Sequence, residues 1–541
     1  MSIQTHSPSV APEPSSAGLV ARLRWALEGL TKNPNPVWIR ELKQSARLSR
    51  TPVILAVVTG MTTLLIASIG GVLSVTAEPA QIGIGVFHTF FSLAFSIVTA
   101  VGPAVAAATI ASEKSGRTWE ALLLTGMTPA AVARGKFLAS LTYVLSYVVM
   151  LAPVGGLSFL FGGVAPLEVL LAFLLLGLIS ALSVAFGLAM SSKFASPAVA
   201  ILVTLFVALP LSGAAYGLGG VALSFAVHNL WPGITAGAPV WLPTAYVRAD
   251  FGLSYLVFLV FSPILVTALP GWLFYEITIS NMASPSDDSS TRLRIWMLVS
   301  GPLLCLVGIL SAVTVGGPDW VQVSILACWL FAGLLAFLIA GEPLGPSRRV
   351  EAHWALAGVG RLRRLLGPGV ARAGGVAELL SLLMLGASTG VGLGLARTRD
   401  QLFATLSFGG YAAAFSLFLI GFCVWARARA HSGAVPRVLG TGALFLALLG
   451  PYIALAIAGM LADASDHILL LAAPSPAFAF VLAQRIRTST ADPELYALAG
   501  AAAAAGWALL GVGLLISGTL KARKRWLAER AERQGLPAAS P

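Results

Sequence analysis

The residues whose types and spacing could do chemistry form a charged run, not a catalytic cluster. Residues 112–129 combine four charged side chains, Glu113, Lys114, Arg117 and Glu120, with large apolar ones that include Trp119, Leu122 and Leu123. Apolar residues exposed beside charges are typical of a surface that docks a partner protein. A loop helix packed on the chain's own bundle is the alternative.

Glycine and proline divide this run into two predicted helices. A short helix follows Gly116 and ends at Gly126. Thr128 and Pro129 begin a second helix, which continues through Lys136.

A second charged run, residues 35–50, has the spacing of a basic amphipathic helix. Asn35 can cap its start, and Pro36 suits the first helical position. The predicted basic face consists of Arg40, Lys43, Arg47 and Arg50. The predicted apolar face consists of Trp38, Ile39, Leu42 and Ala46. Such a helix lies in the headgroup layer of a membrane. A simple positively charged anchor is the alternative.

Patterns for covalent or metal chemistry are missing from the sequence. It contains no HExxH motif, no paired cysteines, no His cluster and no GxSxG before a helix. It also lacks a GxxxxGK[ST] phosphate loop, so we expect no ATP hydrolysis by the chain itself, no metal and no cofactor. All 22 acidic residues fall in predicted loops or at the edges of predicted spans, which disfavours proton or ion coupling inside the membrane.

Composition identifies the class of protein that must position these runs. The 541 residues are 57% hydrophobic and 10% charged, with a mean hydropathy of +0.87. Soluble domains carry about 25% charged residues, so a soluble globular protein is excluded. Apolar runs long enough to cross a bilayer occur twelve times, at about 52–76, 83–111, 138–163, 166–191, 197–219, 251–275, 295–316, 320–341, 376–397, 401–425, 437–462 and 495–519.

The basic residues predict the orientation of these spans. With the N-terminus in the cytoplasm, 29 of the 34 Lys and Arg lie on the cytoplasmic side. An even number of spans with both termini cytoplasmic explains this asymmetry. The net charge of +12 then faces anionic lipid headgroups, and nucleic acid is not needed as a partner.

The sequence therefore predicts an all-α integral membrane protein with about twelve transmembrane helices in two six-helix units. A loose repeat of span order supports the duplication. The predicted segments are a partly disordered cytoplasmic tail (1–34), a first unit (35–276), a cytoplasmic linker (277–294), a second unit (295–520) and a basic cytoplasmic tail (521–541).

The two charged runs resemble parts of ABC-2-type transporter permeases. The run NPV-x-x-RE-L before the first span is similar to the elbow helix of that family. The run EK-x-G-R-T-x-E-x-L-L-L-T-x-M-T-P, ending in GK-F, resembles its coupling loop between spans two and three. The resemblance covers about residues 35–276.

This resemblance implies the membrane subunit of an ATP-driven exporter that works with a separate ABC ATP-binding subunit. The implied coupling-loop residues, which would receive the movement of the ATPase, are Glu113, Lys114, Gly116, Arg117, Thr118, Trp119, Glu120 and Leu123. The implied elbow residues are Trp38, Arg40, Glu41, Leu42 and Lys43.

The second half departs from the family pattern. Its corresponding loop, about 342–375, lacks the coupling motif and carries a basic, Leu-rich stretch with Arg361, Arg363, Arg364 and Arg372. Binding to the membrane surface is the plain interpretation of that stretch. Either this half is a diverged pseudo-dimer partner, or it is an appended bundle beside a homodimer of first halves.

Three functions remain open at this point. The first is the permease subunit of an ABC exporter in a bacterial inner membrane. The second is a secondary transporter of six-plus-six design. The third is a membrane protein without transport function, either an enzyme or an anchor for a cytoplasmic complex.

Overall fold

The computed structural model describes residues 34–46, 50–76, 78–234, 242–284, 286–461, 468–488 and 493–533. These residues form helices joined by turns, with no β-strand among them. The helices of the first half are α1 Pro36–Ala46, α2 Arg50–Thr76, α3 Pro79–Ser115, α4 Thr118–Leu124, α5 Pro129–Gly156, α6 Ser158–Phe161, α7 Pro166–Ser191, α8 Pro197–Leu230, α9 Leu242–Arg248, α10 Leu253–Tyr255 and α11 Ser262–Met282. Those of the second half are α12 Ser290–Val315, α13 Pro318–Ile339, α14 Arg348–Leu356, α15 Arg361–Leu365, α16 Val370–Leu395, α17 Arg399–Arg429, α18 Ala434–Leu461, α19 Phe478–Thr488 and α20 Pro493–Arg533.

Among the described residues, twelve helical segments are long and apolar enough to cross a membrane. They are α2, α3, α5, α7, α8, the continuous stretch Leu253–Met282, α12, α13, α16, α17, α18 and α20. The predicted all-helical architecture is confirmed for the described residues, and these twelve candidate spans agree with the number predicted for a multi-pass membrane protein. The grouping into two six-helix units and the cytoplasmic side of both termini stay predictions.

Several helices run past the apolar segments that predicted them. Helix α5 begins at Pro129 and not at 138, because the Thr128 hydroxyl caps it by accepting a hydrogen bond from the Ala131 amide at 3.2 Å. Helix α8 continues from 219 to Leu230, and α20 continues from 519 to Arg533. Hydropathy marks only the part of a helix that lies in hydrocarbon, so the extensions of α8 and α20 were not predicted, whereas the start of α5 agrees with the helix predicted from Thr128 and Pro129.

Some predictions lie outside the described residues. They are the partial disorder of the tail before residue 34, the place of Arg47 on the basic face, the side chains of Ala46 and Arg50, and the end of the basic tail after Arg533.

The largest buried core lies within residues 273–522 and surrounds α17. In the most apolar stretch of α17, 67% of the residues are buried, against 6% in that of α18. Helix α17 is therefore the central helix of the second half, while α18 presents an apolar face to its surroundings, as lipid requires.

The two halves touch along α11 and α12. The Trp296 indole N–H donates to the Leu269 carbonyl at 2.8 Å. Near the other end of this contact, the rings of Phe258 and Trp320 meet edge to face with centroids 5.3 Å apart. Phe258 belongs to a π-helical turn, Leu256–Phe261, within the continuous helical stretch Leu253–Met282.

Helices α17 and α20 pack at backbone distance through glycines. A Cβ on Gly511 would lie 2.6 Å from the Phe418 amide nitrogen and 2.7 Å from the Leu417 carbonyl carbon. A Cβ on Gly421 would lie 2.5 Å from the Gly511 carbonyl oxygen. Small residues allow this approach where no hydrophobic driving force acts between helices in lipid.

Gly511→Ala is therefore expected to lower stability by about 1–3 kcal/mol, because the added methyl group can be accommodated only by moving backbone atoms. Gly513→Ala is the matched control, since a Cβ there meets nothing within 4 Å. The measurement is the apparent melting temperature of the purified protein in detergent. Equal melting temperatures for both variants would contradict the close packing.

Candidate functional site

The start of α1 is fixed onto the start of α5. The Asn35 carboxamide oxygen accepts a hydrogen bond from the Val37 amide at 2.9 Å, which confirms the predicted cap. Its amide nitrogen donates to the Ala131 carbonyl at 2.7 Å. A Cβ on Gly135 would come within 2.6 Å of the Asn35 oxygen, so glycine is needed for this contact. The predicted elbow helix is thus held at a defined position against α5.

Four charged side chains meet beside this contact, and we call Arg40, Glu41, Glu113 and Lys136 the four-charge cluster. The Lys136 ammonium lies 3.1 Å from Oε1 of Glu41 and 3.1 Å from Oε1 of Glu113. The Arg40 guanidinium lies 3.0 Å from the same Glu41 oxygen and 2.5 Å from the same Glu113 oxygen. Lys136 also donates to the Thr109 carbonyl at 3.3 Å. Two cations therefore share two carboxylates that come from α1 and α3.

Burial makes this cluster different from a surface ion pair. The Lys136 side chain is 1% exposed and that of Glu113 12%, whereas Arg40 is 49% exposed and connects the cluster to solvent. Exposed pairs contribute about 0–1 kcal/mol, but removing one partner of a buried pair costs about 3–5 kcal/mol. The cluster therefore sets how α1, α3 and α5 are positioned relative to one another.

The charges shift the pKa values of the two α1 residues in opposite directions. Burial opposes ionisation of Glu41, but the Lys136 ammonium and hydrogen bonds from Arg40 and Lys136 outweigh it and hold the pKa of Glu41 below its ordinary value. Burial also opposes the charge on Arg40, yet its bonds to Glu41 and Glu113 raise the pKa of Arg40. Both side chains are therefore ionised at neutral pH.

A second set of hydrogen bonds ties the end of α3 to α7 and α11. The Lys114 ammonium donates to the Ser192 carbonyl at 2.5 Å, and the Asn281 amide donates to the Ser192 hydroxyl at 2.8 Å. The Ser191 hydroxyl accepts bonds from two backbone amides near the end of α3, both at 3.0 Å. Sequence reasoning missed Ser191, Ser192 and Asn281, because nothing local distinguishes them.

The predicted coupling loop folds into the helices expected of it. Gly116 ends α3, and Arg117 adopts a left-handed conformation with φ +56°, which is uncommon for a residue with a Cβ. The Thr118 hydroxyl donates to the Glu113 carbonyl at 3.3 Å as α4 begins. Gly126, with φ +75°, follows the end of α4. The short helix and its ending near Gly126 are confirmed.

The surface of α4 differs from the one predicted. Leu122 is buried, and Trp119 is half-buried on a core that includes Val37, because α4 folds back onto the protein. The prediction that Trp119 and Leu122 form an exposed docking surface is therefore wrong for Leu122 and only partly right for Trp119. Leu124 is instead 88% exposed. The side chains of Glu120 and Leu123 lie outside the described residues.

The remaining elbow residues follow the amphipathic pattern. Lys43 is exposed, while Trp38 and Leu42 are half-buried. The indole nitrogen of Trp38 is shielded from solvent and has no hydrogen-bond partner among the described residues.

One buried carboxyl group was not expected. Glu378 is 5% exposed and lies past the second turn of α16, and neither of its oxygens has a hydrogen-bond partner in the described part of the chain. The sequence map placed it at a span edge; because α16 begins at Val370, Glu378 lies further inside a candidate span.

The charged groups of the site neutralise one another. No group of three His, Cys, Asp or Glu that could hold a metal ion occurs among the described residues. No family model, curated protein or solved structure matches the chain.

Lys136→Met is expected to lower stability by about 3–5 kcal/mol, because it removes the buried cation that the Glu41 and Glu113 carboxylates share and leaves Arg40 as the remaining cation of the cluster. Lys43→Met, which removes an exposed ammonium from α1, is the matched control and should have little effect. Apparent melting temperatures in detergent measure both. A Lys136→Met protein as stable as the control would show that the cluster does not hold α1.

The lowered pKa of Glu41 gives a second prediction. A depressed folded-state pKa adds stability that is complete above the unfolded value of about 4.3 and is lost as the pH falls through the lower folded value. Glu41→Gln should therefore be less stable than the wild type at pH 7, and the difference should shrink below about pH 4. Melting temperatures of both proteins between pH 3 and pH 7 test this, and a constant difference would contradict it.

Proposed function

We propose that this chain is the membrane permease subunit of an ATP-driven exporter of the ABC-2 type, with ATP hydrolysis supplied by a separate subunit. The observation that carries the proposal is the four-charge cluster. It joins the two segments that resemble an elbow helix and a coupling loop, although they are about seventy residues apart in sequence.

The connections of α4 support this function. Helix α4 follows α3 after a two-residue turn and precedes α5 after residues 125–128. Its Trp119 and Leu122 share a core with residues of α1, α3, α5, α7 and α11. A nucleotide-driven movement delivered at α4 would reach several membrane helices as one rigid displacement.

The exposed part of α4 supplies a surface for the ATP-binding subunit. Leu124, 88% exposed, lies at its end, and Arg117 is exposed at its start. An exposed leucine near an arginine has the composition of an interface anchor with a charged rim. In the proposed orientation this surface faces the cytoplasm of a bacterial cell, where ATP is available.

Glu378 favours the second candidate, a secondary transporter. A buried carboxyl group in a candidate span, with no hydrogen-bond partner in the described part of the chain, is the kind of group that can carry a coupling proton. The proposed exporter is preferred because two independent sequence segments meet in its coupling site, whereas Glu378 stands alone.

The test is co-purification from the native host. The tagged wild type is expected to bring down a protein with a phosphate loop and ATPase activity, and Leu124→Arg should lose it, because a charge replaces the apolar anchor. Leu356→Arg is the matched control, since Leu356 is 90% exposed on α14, away from α4. The amount of ATPase recovered per mole of bait is the measurement.

Two results would contradict the proposal. The first is recovery of the chain alone in several mild detergents, with transport driven by a proton gradient without ATP. The second is equal loss of the ATPase in both leucine variants, which would place the contact elsewhere.

A further inference from the structure

A basic cavity in the second half is lined by the segment that connects α13 to α16, by the start of α16 and by the end of α20. Its volume is about 600 Å³, and five arginines line it with a single carboxylate, Glu351. The arginines are Arg348, Arg361, Arg364, Arg372 and Arg530. No other charged residue lines the cavity among the described residues, so the lining has a large positive surplus.

The segment that forms this cavity is held in place by buried hydrogen bonds. Arg294, 3% exposed, donates to the carbonyls of Leu365 at 2.8 Å, Gly369 at 3.1 Å and Gly367. The Val370 amide donates to the Pro343 carbonyl at 2.9 Å, which closes the segment at its base. The cavity is thus part of the folded structure.

Glu342 is a buried carboxyl group beside Arg294. Glu342 lies 3.5 Å from Arg294 and accepts a hydrogen bond from the Ser290 hydroxyl at 2.8 Å. Burial raises the pKa of Glu342, while Arg294 and Ser290 oppose that rise. The carboxyl group of Glu342 is directed to Arg294 and Ser290, so it does not neutralise the cavity.

The arginines of the cavity are only partly neutralised. Glu351 is paired with Arg530 at 3.2 Å, and the Arg372 guanidinium lies over the Trp354 ring with its carbon 5.7 Å from the ring centroid. Arg364 uses its Nε to donate to a backbone carbonyl. Arg361 is exposed and makes no hydrogen bond or ion pair within the described residues. Guanidinium groups gathered in this way repel one another until an anion binds between them.

Exposed leucines beside the cavity indicate that the anion belongs to a membrane lipid. Leu356 is 90% exposed, Leu362 81% and Leu365 48%, all on the two short helices α14 and α15. These helices connect two candidate spans, so they lie close to a membrane face. Arginines that alternate with exposed leucines are typical of a segment that enters the headgroup layer.

We propose that the cavity between α14, α15 and the end of α20 binds the phosphate group of an anionic phospholipid, with the exposed leucines in the acyl-chain region. An arginine guanidinium group can donate two parallel N–H hydrogen bonds to one phosphate. Several arginines in one cavity therefore favour an anionic headgroup over a zwitterionic one. This site is independent of the proposed export function, because it requires neither the ATP-binding subunit nor α4.

The test is lipid titration of the full-length protein in detergent, with bound lipid counted by native mass spectrometry. The probes are phosphatidylglycerol and phosphatidylcholine with the same acyl chains. The wild type should bind phosphatidylglycerol more tightly. Arg361→Gln should weaken this binding about tenfold or more, since a hydrogen bond to a charged group contributes about 1.5–3 kcal/mol. Arg361→Lys should retain part of the affinity.

Arg363→Gln is the matched control. Arg363 belongs to the same five-residue helix and carries the same charge, but it does not line the cavity. Its substitution should leave phosphatidylglycerol binding within about twofold of the wild type, because diffuse attraction is largely screened by salt. Since both arginines are exposed, unchanged gel-filtration profiles will show that the variants are folded.

Three outcomes would overturn the proposal. Equal weakening by Arg361→Gln and Arg363→Gln would mean diffuse surface attraction without a site. Equal affinity for the two lipids would remove the anionic selectivity. Complete displacement of phosphatidylglycerol by inorganic phosphate would assign the cavity to a soluble phosphate compound.

Discussion

A polypeptide inside a bilayer must satisfy its backbone hydrogen bonds within each segment, and the rest of this structure depends on that constraint. A helix satisfies this constraint without any neighbouring segment, and twelve of the described helical segments are long and apolar enough to cross the bilayer. Burial of apolar surface contributes little to holding such helices together in lipid. Association must come from close packing and from buried polar groups. The first is seen at Gly511 against α17, and the second at Lys136.

Lys136 shows why a buried charge can determine the position of a distant segment. An ammonium group that is 1% exposed requires anionic partners, and α5 offers none nearby. Glu41 and Glu113 supply them from α1 and from the end of α3. The arrangement adds little net stability over an apolar alternative, but any displacement of α1 or of the end of α3 relative to α5 would leave a charge unpaired. Such a cluster favours movement of α1, the end of α3 and the start of α5 as one rigid unit.

The sequence predicts well whatever depends on neighbouring residues. The twelve spans, the caps at Asn35 and Thr128 and the short helix α4 follow from hydropathy, side-chain chemistry and glycine positions. The pairing of Glu41 with Lys136 joins residues 95 positions apart, so no local pattern reveals it. The predicted exposure of Leu122 was wrong for a similar reason. Its exposure depends on whether α4 folds back onto the bundle, which is a tertiary property.

The two loops that follow the second and eighth spans differ in how far their basic side chains are balanced by carboxylates. In the first, two cations and two carboxylates neutralise one another. In the second, five arginines and one glutamate line a cavity, so the lining carries a positive surplus that an anion would offset. Under the proposed function, only the first half then offers a loop built for coupling. Under the same proposal, the chemical difference between the two loops favours a homodimer of first halves over a pseudo-dimer of the two halves, since an isologous partner needs the same surface twice.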